Sequence, residues 1–127
     1  MFSSFLILSI IYIKLCDATH FRGGSIRATP IKEIGSDLLI EFSISFCWRR
    51  GMVFCDDTTI NSNALFGPVS NINCVSSCTG TTVVVGNTAL YCTSFSVTDD
   101  WSCGQNSFQY LLPQNCSYTA SFSGAGW

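Results

Sequence analysis

The sequence predicts an all-β fold, a disulfide-stapled antiparallel β-sandwich. Apolar and polar residues alternate in six segments, and clusters of Gly, Pro, Asn, Asp and Ser separate these segments. No segment shows a convincing helical period. The chain holds 8 cysteines in 127 residues, and small exported domains use such cysteines as disulfide staples. Short strands joined by polar turns and held by disulfides favour two packed sheets.

The clearest strand is DLLIEFSISFCWRR, residues 37–50. One face carries apolar side chains and the other carries mostly polar ones, which is the period-two pattern of a strand with one buried face. The apolar face consists of Leu38, Ile40, Phe42, Ile44, Phe46 and Trp48, and the opposite face includes Glu41, Ser43, Ser45, Cys47 and Arg49. We therefore expect a central strand whose apolar face forms the core.

Shorter alternation predicts five more strands, at residues 25–31, 81–85, 90–97, 107–112 and 117–122. Turn-forming clusters lie between them, at residues 34–37, 80–81, 86–87 and 113–115. Residues 51–78 show no sustained alternation, so we predict a long loop with one or two short strands, pinned by disulfides. Loops of this length are uncommon in compact domains unless they are stapled or functional. The loop is therefore the predicted binding surface.

The first 18 residues predict a signal peptide. Residues 5–13, FLILSIIYI, form an apolar run that is too short to cross a hydrocarbon core of about 30 Å but matches a signal-peptide core. Cys16 and Ala18 occupy the small-residue positions of a cleavage site, which places the cut before Thr19. An uncleaved anchor is the alternative. We expect a secreted or cell-surface protein in which residues 19–127 form a single extracellular module without an integral membrane segment.

Seven cysteines follow the predicted cleavage site. They are Cys47, Cys55, Cys74, Cys78, Cys92, Cys103 and Cys116, and in an exported chain they predict a disulfide framework. A zinc site around Cys74 and Cys78 is the alternative, but it lacks a second close pair of ligands. Because seven is odd, we expect the chain to be truncated after Trp127, with the partner thiol in its continuation. The alternative is a free thiol that is buried or that bridges two molecules.

The charge balance limits the classes of partner. From Thr19 onward the chain has five basic and seven acidic side chains with no basic stripe, so nucleic acid and anionic membranes are poor candidates. An extracellular protein or glycan remains. Trp48, Arg49 and Arg50 could form a basic and aromatic binding surface, or each arginine could stack on a ring or pair with an acid such as Asp56 or Asp57.

The histidine and the acidic pairs are the candidate catalytic and metal-binding groups. His20 is the only histidine, and its position near the predicted mature N-terminus is a poor one for a catalytic base. Gly23 and Gly24 precede no helix, so they predict a bulge or a close backbone approach.

Asp56-Asp57 and Asp99-Asp100 are the acidic pairs. Asp99 and Asp100 are the candidates for calcium, although turn formation explains them equally well. No other cofactor is expected. Asn115-Cys116-Ser117 is an N-glycosylation sequon.

Several phrases together resemble a known type of module. They are THFRGGSI at 19–26, Trp48-Arg49-Arg50, CDDTTI at 55–60, CTSFSVTDDWSCGQNSFQYLLP at 92–113 and YTASFSGAGW at 118–127. The chain resembles the N-terminal HFRGG-type module of large animal extracellular or cell-surface multidomain proteins. The resemblance implies secretion and a multidomain setting but no activity. Cys47 and Cys103 are additional to the pattern of that module, so no disulfide scheme follows from it.

The function predicted from these observations is that of a non-enzymatic binding or structural module in adhesion or the extracellular matrix. A free-standing small cysteine-rich effector, such as a toxin or defence protein, is the second hypothesis. A secreted hydrolase that uses His20 as its base is the third.

Overall fold

A computed structural model of the chain describes residues 20–122. The predicted signal peptide, the cleavage site before Thr19 and the terminal Gly126-Trp127 lie outside the described residues. The elements are β1 (Phe21–Ile34), β2 (Asp37–Arg49), α1 (Asp57–Ser62), β3 (Leu65–Phe66), β4 (Asn71–Ser76), β5 (Thr82–Asn87), β6 (Leu90–Ser96), β7 (Trp101–Pro113) and β8 (Tyr118–Phe122). Within residues 20–122, no helix is long and apolar enough to span a membrane.

The strands form two antiparallel sheets. The larger sheet has the order β1-β2-β7-β6-β3, and the smaller has the order β5-β4-β8. The core comes from both sheets, with Ile40, Phe42, Ile44, Phe46, Trp48, Leu90 and Leu112 on one side and Ile72, Cys74 and Val85 on the other. The predicted all-β, disulfide-stapled sandwich is confirmed.

Strand β2 lies inside the larger sheet and pairs with β1 and β7. The apolar face predicted from its alternation is the core face, since Ile40, Phe42, Ile44, Phe46 and Trp48 are all buried and Leu38 is half-buried against them. Alternate residues of a strand point to opposite faces, so the polar set that includes Ser43 and Cys47 lies on the outer face.

Strand β1 is longer than the predicted segment 25–31 because two register irregularities accommodate its unusual residues. One lies between Phe21 and Gly23, and the other between Pro30 and Lys32. Gly23 has φ +142, and a Cβ on Gly24 would collide with the Phe46 ring and the Ser45 carbonyl oxygen. The glycine pair therefore provides both the bulge and the close backbone approach. Pro30 is tolerated because β1 is an edge strand.

The segment 51–78 contains the two short strands β3 and β4, the start of the turn after β4, and a short helix that was not predicted. Six residues are too few to show a helical period. The helix begins with a capping box: the Asp56 carboxylate accepts a hydrogen bond from the Thr59 amide at 2.8 Å, and the Thr59 hydroxyl accepts one from the Asp56 amide at 3.4 Å. It ends at Asn63, which has a left-handed conformation with φ 51.

Six of the seven described cysteines form three disulfides, Cys47–Cys103, Cys55–Cys92 and Cys78–Cys116. The first joins directly opposite residues of β2 and β7, with Cα atoms 4.1 Å apart. The second joins the residue before the cap of α1 to β6, and the third joins the turn after β4 to the turn before β8. Cys74 is free and only 1% exposed between the sheets, which corresponds to the buried-thiol alternative.

Candidate functional site

An apolar groove opens at the end of the sandwich where β1 begins and β2 ends. Its volume is about 450 Å³, and it is lined by His20, Trp48, Met52, Val53, Phe54, Gly67 and Pro68. Met52 and Phe54 are large apolar side chains of this lining, and they are 56% and 58% exposed. Most of the lining comes from segment 51–78, the predicted binding surface.

The rim of the groove is held in place by Arg50. Its guanidinium lies 4.4 Å from the centre of the Phe54 ring and 5.0 Å from that of Phe95, and its Nε donates a hydrogen bond to the Cys55 carbonyl at 2.9 Å. Cys55 is in turn anchored by its buried disulfide to Cys92. The exposed Phe54 ring is therefore fixed by a cation–π contact.

Arg49 joins two turns at the same end of the sandwich. Its Nε lies 2.7 Å from Oδ2 of Asp100, and Oδ1 of the same carboxylate accepts a hydrogen bond from the Gly51 amide at 2.9 Å. The Arg49 hydrogen bond, followed by that of Gly51, holds the pKa of the Asp100 carboxyl below its ordinary value. The residues around Arg49 are thereby tied to the turn before β7.

The three residues predicted as a binding surface do not form one exposed patch. Trp48 is 4% exposed and belongs to the core, although it lines the inner wall of the groove. Trp48 is buried because it continues the apolar alternation of β2, which forms the core face. Arg50 stacks on aromatic rings, which was one alternative to a binding surface. Arg49 pairs with an acid, which was the other, but the acid is Asp100 rather than Asp56 or Asp57.

Asp100→Asn tests the role of this carboxylate through its pH dependence. Because the folded-state pKa lies below the unfolded-state pKa, the charge stabilises the fold above about pH 4, and the contribution disappears as the pH falls further. We expect the substitution to lower the melting temperature at neutral pH and to have a diminishing effect in acid. Thermal unfolding of the unaltered protein and the Asp100→Asn variant, from neutral pH into acid, measures the difference in melting temperature. The same difference at every pH would show that the charge contributes nothing.

A second recess lies on the outer face of the larger sheet, at the same end. Its volume is about 320 Å³, and it is lined by Arg22, Cys47, Asp99, Trp101 and Cys103. Arg22 and Trp101 are not among the predicted site residues. Trp101 was missed because the predicted strand began at residue 107, whereas β7 begins at Trp101 and places this side chain on the outer face.

The two calcium candidates serve local structure. Asp100 is engaged by Arg49 and Gly51, and the Asp99 amide donates a hydrogen bond to the Ser96 hydroxyl at 3.0 Å. Within residues 20–122, no group of three or more His, Cys, Asp or Glu side chains could hold a metal ion. Calcium binding at Asp99 and Asp100 stays a prediction, and the geometry adds no third ligand.

His20 and Asn115 lie at opposite ends of the larger sheet. His20 precedes β1 and lines the groove, where the lining residues within 20–122 include no carboxylate, hydroxyl or thiol side chain. A hydrolase based on His20 therefore gains no support from the groove. Asn115 is exposed in the turn between β7 and β8, with φ 63, and the next residue forms the Cys78–Cys116 disulfide. Its glycosylation stays a prediction.

The chain is a disulfide-bonded β-sandwich module with an apolar groove at one end and a recess on the outer face of the larger sheet. A family model described as integrin beta-like protein A-E, N-terminal, matches residues 22–127. The chain belongs to this family of N-terminal domains. No curated protein and no solved structure gives a significant match. The family match agrees with the N-terminal placement that the HFRGG resemblance implied, although it does not identify an HFRGG family as such.

Proposed function

We propose that the chain is a secreted or cell-surface adhesion module that binds an extracellular partner and catalyses no reaction. The name of the family, integrin beta-like, supports an adhesion role. Three disulfides support an oxidising, extracellular compartment. Cleavage of residues 1–18 before Thr19 is part of this proposal. The disulfides would also fit a cysteine-rich effector, but the family match favours the adhesion module over both the effector and the hydrolase.

The observation that carries the proposal is the exposed apolar rim of the groove. Met52 and Phe54 of the groove lining are each more than half exposed, and Leu65 and Val69 of the same segment 51–78 are exposed to a similar extent. Concentrations of exposed apolar side chains mark protein interaction sites. The rim is also fixed by the Arg50 stack and the Cys55–Cys92 bridge, so little conformational freedom is lost on binding.

Substitutions on this rim test the adhesion role. Non-adherent cells that display the chain are mixed with cells that lack it, and aggregates of both kinds are counted. We expect display of the chain to cause aggregation, and Met52→Asp or Phe54→Asp to return it to the background, because each places a charge where an apolar contact forms. Val97→Asp is the matched control, since Val97 is 68% exposed but does not line the groove.

Equal surface display of all variants, measured with an antibody to a fused tag, excludes a folding defect. Aggregation that does not exceed the background for the unaltered chain would contradict the adhesion role. Aggregation that survives both rim substitutions would place the binding surface elsewhere on the module.

A further inference from the structure

The outer-face recess combines an aromatic side chain with one donor and one acceptor of opposite charge. Trp101 is half-buried, and Arg22 and Asp99 are exposed beside it. Ligand pockets of a few hundred Å³ with apolar walls and a few convergent polar groups are typical of small-molecule sites. This recess of about 320 Å³ has one aromatic wall, a disulfide as its floor and two charged groups.

The floor of the recess is rigid. Cys47 and Cys103 face each other across β2 and β7 and are joined by a disulfide. Trp101 is the first residue of β7 and pairs with Arg49 of β2 and Ser96 of β6. The indole is therefore presented from a strand that is held on both sides.

The two charged groups in the recess have opposite signs, and Arg22 also lies close enough to Asp100 to interact with its carboxylate electrostatically. Arg22 has no ion-pair partner among residues 20–122, and the Asp99 carboxylate contacts the Ser96 hydroxyl at 3.5 Å. The neighbouring Arg49–Asp100 pair is itself neutral. The local charge sums to zero, so the recess complements an uncharged ligand that both donates and accepts hydrogen bonds.

Uncharged polar residues continue from the recess along the outer face. The facing pairs after Cys47 and Cys103 on that face are Ser45 with Gln105 and Ser43 with Ser107. Successive pairs on one face are about 6.6 Å apart, because each strand residue advances about 3.3 Å. A strip of hydroxyl and amide groups thus extends the recess into a linear site.

We propose that the outer face of the larger sheet is a binding site for a neutral oligosaccharide. One sugar ring stacks its C–H groups on the electron-rich face of Trp101. Hydroxyl groups of that sugar donate to the Asp99 carboxylate and accept from the Arg22 guanidinium. Further sugar units lie along the Ser45, Gln105, Ser43 and Ser107 strip. This site is separate from the apolar groove, so it adds a glycan ligand to the protein partner proposed above.

The test uses the purified secreted protein and three neutral probes, short cello-, chito- and manno-oligosaccharides, with heparin fragments as the anionic comparison. Calorimetry measures affinity, and tryptophan fluorescence reports on the stacking. We expect one neutral series to bind and Trp101→Ala to weaken it by about tenfold or more, which corresponds to about 1.4 kcal/mol. Arg22→Gln and Asp99→Asn should each weaken it, and Trp101→Phe should retain part of the affinity.

Matched controls lie at the far end of the same strand as Arg22. Lys32→Gln and Glu33→Gln remove charges in β1 away from the recess and should leave affinity unchanged, as should Met52→Asp in the groove. Thermal unfolding confirms that each variant is folded. The proposal is overturned if no neutral series binds, if only heparin binds in a salt-sensitive manner, or if folded Trp101→Ala binds as well as the unaltered protein.

Discussion

Phe42→Ala is expected to lower the free energy of unfolding by about 3 to 5 kcal/mol. The Phe42 side chain is 2% exposed at the centre of β2, and its ring stacks on Phe108 with centroids 5.7 Å apart. Truncation removes the buried ring and leaves a cavity that the two flanking strands cannot close. Chemical denaturation monitored by circular dichroism measures the loss.

The adjacent residue provides the control for Phe42. Ser43 lies on the outer face of the same strand, paired with Arg27 and Ser107, so Ser43→Ala should cost under about 0.5 kcal/mol. The two substituted residues are adjacent in sequence but lie on opposite faces of β2. Equal losses would contradict the assignment of these residues to opposite faces, and with it the register of β2.

Removal of the Cys55–Cys92 disulfide is expected to have the second large effect. The bridge closes a loop with a sequence separation of 37, for which the chain-entropy argument gives about 4 kcal/mol. Both cysteines are buried, so the double substitution to Ser also places two hydroxyl groups in the interior without the bridge. We expect a loss above the chain-entropy value and faster amide exchange in residues 56–70.

The Cys78–Cys116 disulfide is the matched control for this double substitution. Its sequence separation of 38 is nearly the same, so the chain-entropy contribution is equal within error. Cys78 is exposed and Cys116 is half-buried, so its removal disturbs less packing. A greater loss for the Cys55–Cys92 pair is the expected outcome of denaturation. If the two losses are the same, burial of the first bridge contributes nothing to stability.

The alternation of β2 was sufficient to predict the core face and, with the turn clusters, the sandwich. The period of two requires that Phe42 and Phe46 share a face whatever strands lie beside them. The extent of β1 could not be predicted, because Gly23, Gly24 and Pro30 are each unfavourable in an ordinary strand. They fit here only through bulges at the edge of a sheet, and neighbouring strands determine where edges lie.

The groove and the outer-face recess could not be predicted from the sequence, because each is lined by residues from several parts of the chain. Arg22 and Trp101 line one recess because of the register of β1, β2 and β7, and Asp99 reaches it from the turn before β7. Strand register is set by tertiary pairing. The same applies to the disulfides, whose connectivity does not follow from spacing. The burial of Cys74 comes closest to being predictable, because Cys74 lies two residues after Ile72 in β4 and residues with this spacing share one face of a strand.

The contact between Phe21 and Phe122 has a mechanical consequence. Their rings lie 6.3 Å apart, so the chain enters β1 and leaves β8 at one end of the sandwich. Both are edge strands, and neither contains a cysteine. We therefore expect a pulling force between these two points to peel β1 and β8 from their neighbours one hydrogen bond at a time, which requires less force than shearing all the hydrogen bonds of a strand at once. Peeling of β1 then exposes β2, where the Cys47–Cys103 bridge resists further extension.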